Sequence, residues 1–215
     1  IDFTLKEIKT LLVHERENEE GKRVFPQRFT QRKSSFKVPT FREFIELIKG
    51  LNASRKTDIG IYPEIKAPEF HKKEGKDITS LVYKIIKEYD YEETPNRIFI
   101  QSFFPKTLKR LKFEFKTKIP LIQLIADDSW GESSVEYSKM MTTKGLKEVS
   151  SYARGVGVWL SHLQRKKTLL KNIRNTNLLV HGYTHRPETQ TDGKLELIKN
   201  LDGIFSDAPD IIETK

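Results

Sequence analysis

In the run Tyr62-Pro-Glu64-Ile-Lys66 a carboxylate and an ammonium stand two positions apart with an apolar residue between them. On an extended chain that spacing projects Glu64 and Lys66 from one face and Ile65 from the other. Such a carboxylate can hold a hard cation, and an ammonium beside it attracts an anionic group, the combination that metal-assisted phosphoryl chemistry needs. The same two charges also suit a structural ion pair at a strand end. Other short apolar runs close on polar or aromatic side chains: Gln101 with Phe103, Gln123, His181 with Tyr183, and Ser206 with Asp207. Each could line a substrate pocket, and each could equally satisfy a strand end.

General acid and base work near neutral pH usually falls to histidine. His14 lies in a charged stretch, His71 in the loop after Lys66, and His162 beside basic residues; none has a context that marks a catalytic pair. His181 alone, inward by parity if Tyr183 is, stands where a substrate could reach it. His181 and His185 are four apart, a zinc spacing on a helix, but this segment reads as a strand and zinc is rejected.

Chemistry at strand ends requires strands, and from residue 59 short apolar runs alternate with segments of helical period. The expected strands are residues 59–66, 97–103, 121–126, 155–160, 178–184 and 203–207. Between them, Ile78, Leu81, Val82, Ile85, Ile86 and Tyr89 fall at helical spacing behind an Asp77 cap. Leu108, Leu111 and Phe115 repeat the pattern, with Lys109, Lys112 and Lys116 as the wet side of that helix or as a phosphate stripe. Strand and helix in alternation predict a parallel sheet with right-handed crossovers, either an open doubly wound sheet or a closed barrel. The glycine-rich turn of a dinucleotide fold and the Walker A loop are both missing.

Before residue 59 two capping boxes, Thr4 with Glu7 and Thr40 with Glu43, predict short helices. Residues 13–39 between them carry charge without period and read as a long excursion. The 215 residues, 36% hydrophobic, favour one domain spanning 1–215. A net charge of +9 favours anionic partners, but the charges are scattered over nearly every segment, against a nucleic-acid partner. There is no cysteine, which excludes disulfides and thiolate metal sites, and no apolar run long enough to span a bilayer. The opening Ile-Asp-Phe-Thr resembles no signal peptide and reads as the interior of something longer.

The stretch from Gly60 through Glu64 and Lys66 to Asp77 resembles the signature of the longer, envelope-type glycerophosphodiester phosphodiesterases. The resemblance continues through residues 99–103, 121–125, 179–184 and 202–210, and takes in 1–9. It implies an α/β fold, a TIM (β/α)8-type barrel of which about the last six βα units are present. Residues 1–39 would belong to a small insertion, and residues 40–215 to the third to eighth units. It further implies that Glu64 binds a divalent ion, calcium in most members with magnesium as the alternative. Lys66 would contact the phosphate, and the resemblance carries over these two residues only; Gln101, Phe103, Gln123, His181 and Tyr183 are candidate substrate-binding residues by their places in the expected strands.

By the same resemblance, the remaining acidic ligands come from a Glu-x-Asp, and the acid and base histidines from a His-Arg-Gly and a His-Asp. This chain carries no His-Arg-Gly, no His-Asp and no strand-end Glu-x-Asp, so no catalytic residue is assigned within it and little turnover is expected. The implied reaction is hydrolysis of glycerophosphodiesters to an alcohol and glycerol 3-phosphate, in the periplasm or cell envelope. The alternatives are a barrel that binds an anionic ligand or host protein without cutting it, and a related phospholipase.

Overall fold

The structure, a computed structural model, describes residues 1–26, 28, 35–189 and 191–209. Residues 27 and 29–34 of the expected excursion, and Asp210 of the resembling stretch, lie outside them. Contacts divide the chain into two compact units, Ile1–Thr57 and Asp58–Lys215.

The first unit contains helices at both capping boxes, α1 (Leu5–Ile8), short as expected, and α2 (Phe41–Arg55), which at 15 residues is longer than expected. Both boxes close: the Thr4 and Thr40 hydroxyls accept from the amides of Glu7 and Glu43, and both glutamates accept from the cap amides at 2.7 Å. Each box satisfies two amide donors that a helix start leaves unpaired. Lys9 pairs with Glu43 and so ties α1 to α2. The described part of the excursion holds only isolated antiparallel bridges, Leu12 with Lys37 and Glu17 with Arg23.

The second unit is a parallel sheet with helices against one face. Its strands are β1 (Ile100–Ser102), β2 (Leu121–Ile125), β3 (Gly155–Trp159), β4 (Leu179–His185) and β5 (Gly203–Ser206), in that order and parallel throughout. The helices are α3 (Pro68–Lys73), α4 (Ile78–Glu88), α5 (Pro105–Phe113), α6 (Tyr137–Met140), α7 (Thr143–Val149), α8 (Leu160–Arg165), α9 (Leu169–Arg174) and α10 (Asp192–Lys199). Helix α5 packs on β1 and β2, α9 on β4, and α8 on β3 and β4. Ile122, Ile125, Val156, Val158, Val180, Leu108, Leu111 and Ile173 are fully buried, and burial of each is worth about 1.5–3 kcal/mol.

Five of the six expected strands form with ends shifted by a few residues. The sixth, residues 59–66, does not form a regular strand. It makes two isolated parallel bridges, Ile61 with Ile98 and Glu64 with Gln101. Four ladder hydrogen bonds nonetheless join the two runs: Ile61 N to Arg97 O, Phe99 N to Ile61 O, Gln101 N to Pro63 O and Ile65 N to Gln101 O, at 2.9–3.1 Å. The rung missing from this ladder is the one that Pro63, having no N–H, cannot donate. The same gap leaves Ile98 in an isolated bridge outside β1, and the 3-10 turn Pro95–Arg97 takes the residues before it, so β1 keeps three residues.

The sheet is strongly curled. Laid flat, the 61–65 run and β5 would be five strand spacings apart, about 24 Å. Instead the ring of Tyr62 lies 4.9 Å from that of Phe205 on β5. Gly155 serves this curvature on the inner face: a Cβ there would fall 2.8 Å from the carbonyl oxygen and Cβ of Leu179 on the next strand.

Candidate active site

Register assigns the faces. Parallel partners project the same way, so Glu64, Gln101, Ile122, Gly155 and Leu179 form one inward row. Period two then adds Tyr62, Phe103, Trp159, His181, Tyr183 and Phe205 to the same face.

Backbone bonds hold Glu64 in place: Ile65, buried on the opposite face, donates to Gln101 O at 2.9 Å, and the Ser102 hydroxyl donates to Ile65 O at 2.8 Å. The Glu64 side chain is 22% exposed and its Oε1 is buried with no partner; the buried Oε1 of Gln101, its bridge partner, also has none. Burial pushes the Glu64 carboxyl above its usual range, the Lys66 ammonium offsets this in part, and the charge of Glu132 adds to it. Lys66 Nζ stands 3.9 Å from Glu64 Oε2, but at 74% exposure it is well solvated and the pair is weak. Two unpartnered oxygens on neighbouring strands fit a hard cation in kind. They fall short in number, since no group of three His, Cys, Asp or Glu among the described residues is placed to hold a metal ion.

His181 sits in an aromatic box, its ring 5.8 Å from Tyr62, 5.3 Å from Phe99 and 6.4 Å from Phe205, with Nδ1 2.8 Å from the Tyr62 hydroxyl. The ring lies over Gly203, where a Cβ would come within 2.9 Å of it. Burial lowers the His181 pKa and keeps the imidazole neutral, while it raises the phenols of Tyr62 and Tyr183. Tyr183 donates to Ile125 O at 2.7 Å and meets Phe103 edge-on at 6.2 Å; Phe103 meets Tyr137 at 6.1 Å. Glu64, Lys66, Gln101, Phe103, His181 and Tyr183 thus share one face of the sheet.

Gln123 does not join them. Its register partners are Ser102 and Val156, on the outer face toward the helices, where it is fully buried. Its amide nitrogen donates to the carbonyls of Leu124 at 2.9 Å and of Ser102 and Phe103 at 3.3 Å, and its oxygen accepts from Tyr152 at 2.9 Å. Ser206 and Asp207 are likewise engaged, with His185 Nδ1 at 2.9 Å and Arg186 Nε at 2.8 Å. His185-Arg186 is a His-Arg pair at a strand end, but Pro187 follows it in place of glycine. His162 is buried against Ala126 O at 3.1 Å, His71 lies edge-on to Phe70 at 5.3 Å, and His14 is exposed. Lys109 pairs with Glu148 at 2.8 Å, and Lys116 lies beyond α5, so the three lysines form no phosphate stripe.

Tyr62, Phe99 and Phe205 are contributors the strand-end survey missed, although the parity that selects Glu64 also selects Tyr62. Trp130, Trp159 and Glu132 were missed as well, because Trp130 and Glu132 come from an irregular loop with no period to read.

The chain's residues 1–211 match the model of the glycerophosphoryl diester phosphodiesterase family. Similar curated proteins include a glycerophosphodiester phosphodiesterase of Haemophilus influenzae, 36% identical over 98% of this chain and 68% of that protein. Another, from Treponema pallidum, is 32% identical over 88% of this chain and 61% of its own length. The fold matches the crystal structure of a glycerophosphodiester phosphodiesterase from Parabacteroides distasonis with a TM-score of 0.59 at 19% identity, over 96% of this chain and 68% of that one. The parallel arc is thus part of a barrel of that kind.

Proposed function

We propose, for a chain that belongs to the glycerophosphoryl diester phosphodiesterase family, that its inward face holds a glycerophosphodiester for hydrolysis to an alcohol and glycerol 3-phosphate. The observation that carries this reading is the pair of buried, unpartnered oxygens on Glu64 and Gln101 beside an exposed ammonium. Burying a polar atom without a partner is costly, and its persistence at a strand end indicates a ligand that completes it. Glu64 and Gln101 would hold a divalent cation, calcium or magnesium; when bound, such an ion offsets charge on a phosphodiester. Lys66, solvated and free to swing, meets a phosphoryl oxygen. Phe103 and Tyr183 exclude water from one side of the ligand, and neutral His181 with Tyr62 forms a polar floor.

No three-ligand metal group stands among the described residues, and no catalytic acid and base pair is assigned in this chain. These 215 residues alone are therefore expected to bind ion and substrate more readily than they turn over. The non-cutting barrel draws support from that same observation. The envelope location rests on resemblance only, and cell fractionation tests it.

The test of the site is thermal. An ion at 100 times its Kd adds about 2.7 kcal/mol of stability, worth roughly 5–10 °C in Tm for a chain of this size. Calcium chloride should raise the Tm of the chain, and Glu64→Gln should abolish the rise. An unchanged rise in Glu64→Gln would remove Glu64 from the site. A coupled assay for glycerol 3-phosphate reads turnover, and release from glycerophosphocholine as fast as by the Haemophilus relative would refute the low activity.

A further inference from the structure

Beside the mouth stands an aromatic pair that the hydrolytic reading does not use. Trp159 closes β3 on the inward face, in register with Tyr183, and Trp130 ends the 3-10 turn Asp128–Trp130 that follows β2. Both lie at the carboxyl ends of their strands, the same end as Glu64 and Lys66. The two rings are 5.0 Å apart and inclined at 59°, and Trp130 remains 43% exposed. Two indoles at that angle form two walls of a corner, and their faces carry the negative potential that attracts cations.

A cation already rests there. The Arg165 guanidinium lies 5.0 Å over the Trp159 ring, and its nitrogen is 3.5 Å from Asp127 Oδ2. Charges of both signs surround the corner. Asp127 balances Arg165, Asp128 accepts from the Ser138 amide at 3.2 Å, and His162 is held neutral by burial. The exposed Lys166 acts on His162 from the basic side, and Glu132, two residues beyond Trp130, is an exposed carboxylate whose charge reaches Glu64 and Tyr183. An ordinary packing contact between indoles would not require an exposed ring so close in sequence to an exposed carboxylate.

We propose that Trp130, Trp159 and Glu132 form a subsite for an alkylammonium group of the choline type. The assignment of that ammonium to the leaving alcohol of the substrate rests on the phosphodiesterase reading; the subsite itself does not. The corner binds the cation by its ring faces, and Glu132 supplies the charge.

Trp130 and Trp159 are the only two tryptophans in the chain, so fluorescence excited at the red edge, where tyrosine does not absorb, reports on this corner alone. The purified chain is titrated with choline chloride, with sodium chloride at equal ionic strength, and with 3,3-dimethylbutan-1-ol, the uncharged isostere of choline. Choline should give a saturable change, and the isostere should bind about threefold to thirtyfold more weakly. Glu132→Gln should weaken choline severalfold with an unaltered circular dichroism spectrum. No saturable response to choline, or an equal response to the isostere, overturns the proposal. Glycerol 3-phosphate release is followed in parallel so that the two readings can fail separately. Choline binding without hydrolysis keeps the subsite and counts against the reaction, whereas hydrolysis of glycerophosphocholine without a choline response does the opposite.

Discussion

Gln123 was expected to touch substrate and instead sits on the helix side of the sheet, and the two roles predict different outcomes when it is replaced. Gln123→Leu keeps the volume but strips the Tyr152 hydroxyl of its acceptor and removes an amide that serves the carbonyls of Ser102, Phe103 and Leu124. Phe103 O retains the Tyr137 hydroxyl at 3.2 Å, so the main losses fall on the Tyr152 hydroxyl and the carbonyls of Ser102 and Leu124. At about 1–3 kcal/mol for each buried group left unsatisfied, the loss should be about 3 kcal/mol. Tyr152→Phe orphans only the Gln123 oxygen and should cost about 1–2 kcal/mol. The double variant removes both partners, so its loss should fall below the sum of the singles by about 1 kcal/mol or more. Urea unfolding followed by far-UV circular dichroism measures all three. Additive losses would refute the coupling. Gln123→Leu costing under about 1 kcal/mol while weakening glycerophosphodiester binding would restore it to the substrate site.

Asp77 caps α4 by accepting from the Ser80 amide and grips the Arg110 guanidinium with both oxygens at 2.7 and 2.8 Å. Asp77→Ala should cost about 2 kcal/mol and Asp77→Asn distinctly less, because asparagine keeps the cap; equal losses in thermal denaturation would contradict this. His162 and His181 are held neutral by burial, so the unfolded chain binds protons that the folded chain does not. Their contribution is complete above the unfolded pKa of about 6.5 and drains away as pH falls toward their lower folded values. A Tm that stays flat between pH 7 and pH 5 would count against it. Arg110 holds the Asp77 carboxyl below the usual range, which adds a separate loss below about pH 4, absent from Asp77→Asn. Gly155→Ala forces a methyl against the Leu179 backbone and should cost about 1–3 kcal/mol by urea titration; a neutral result would mean the curl has slack there.

Much of this architecture was legible from local pattern. The alternation of apolar runs and helical spacing located five strands, the Asp77 cap and both capping boxes, because side-chain period and cap chemistry are decided within a few residues. The same parity paired Glu64 with Lys66 across Ile65. Helices α6 to α9 escaped because at four to seven residues each they are too short to display a period.

Other features belong to tertiary structure alone. Period two divides a strand into two faces but does not say which one is inside; register and curl decide that, and they sent Gln123 outward and Gln101 inward. Pro63 reduced an expected strand to two bridges because the cost of a missing N–H depends on which neighbour lies opposite. The approach of Tyr62 to Phe205, and of Trp130 to Trp159, joins residues far apart in sequence. No spacing along the chain encodes such contacts, since they exist only once the strands have paired and the sheet has curled.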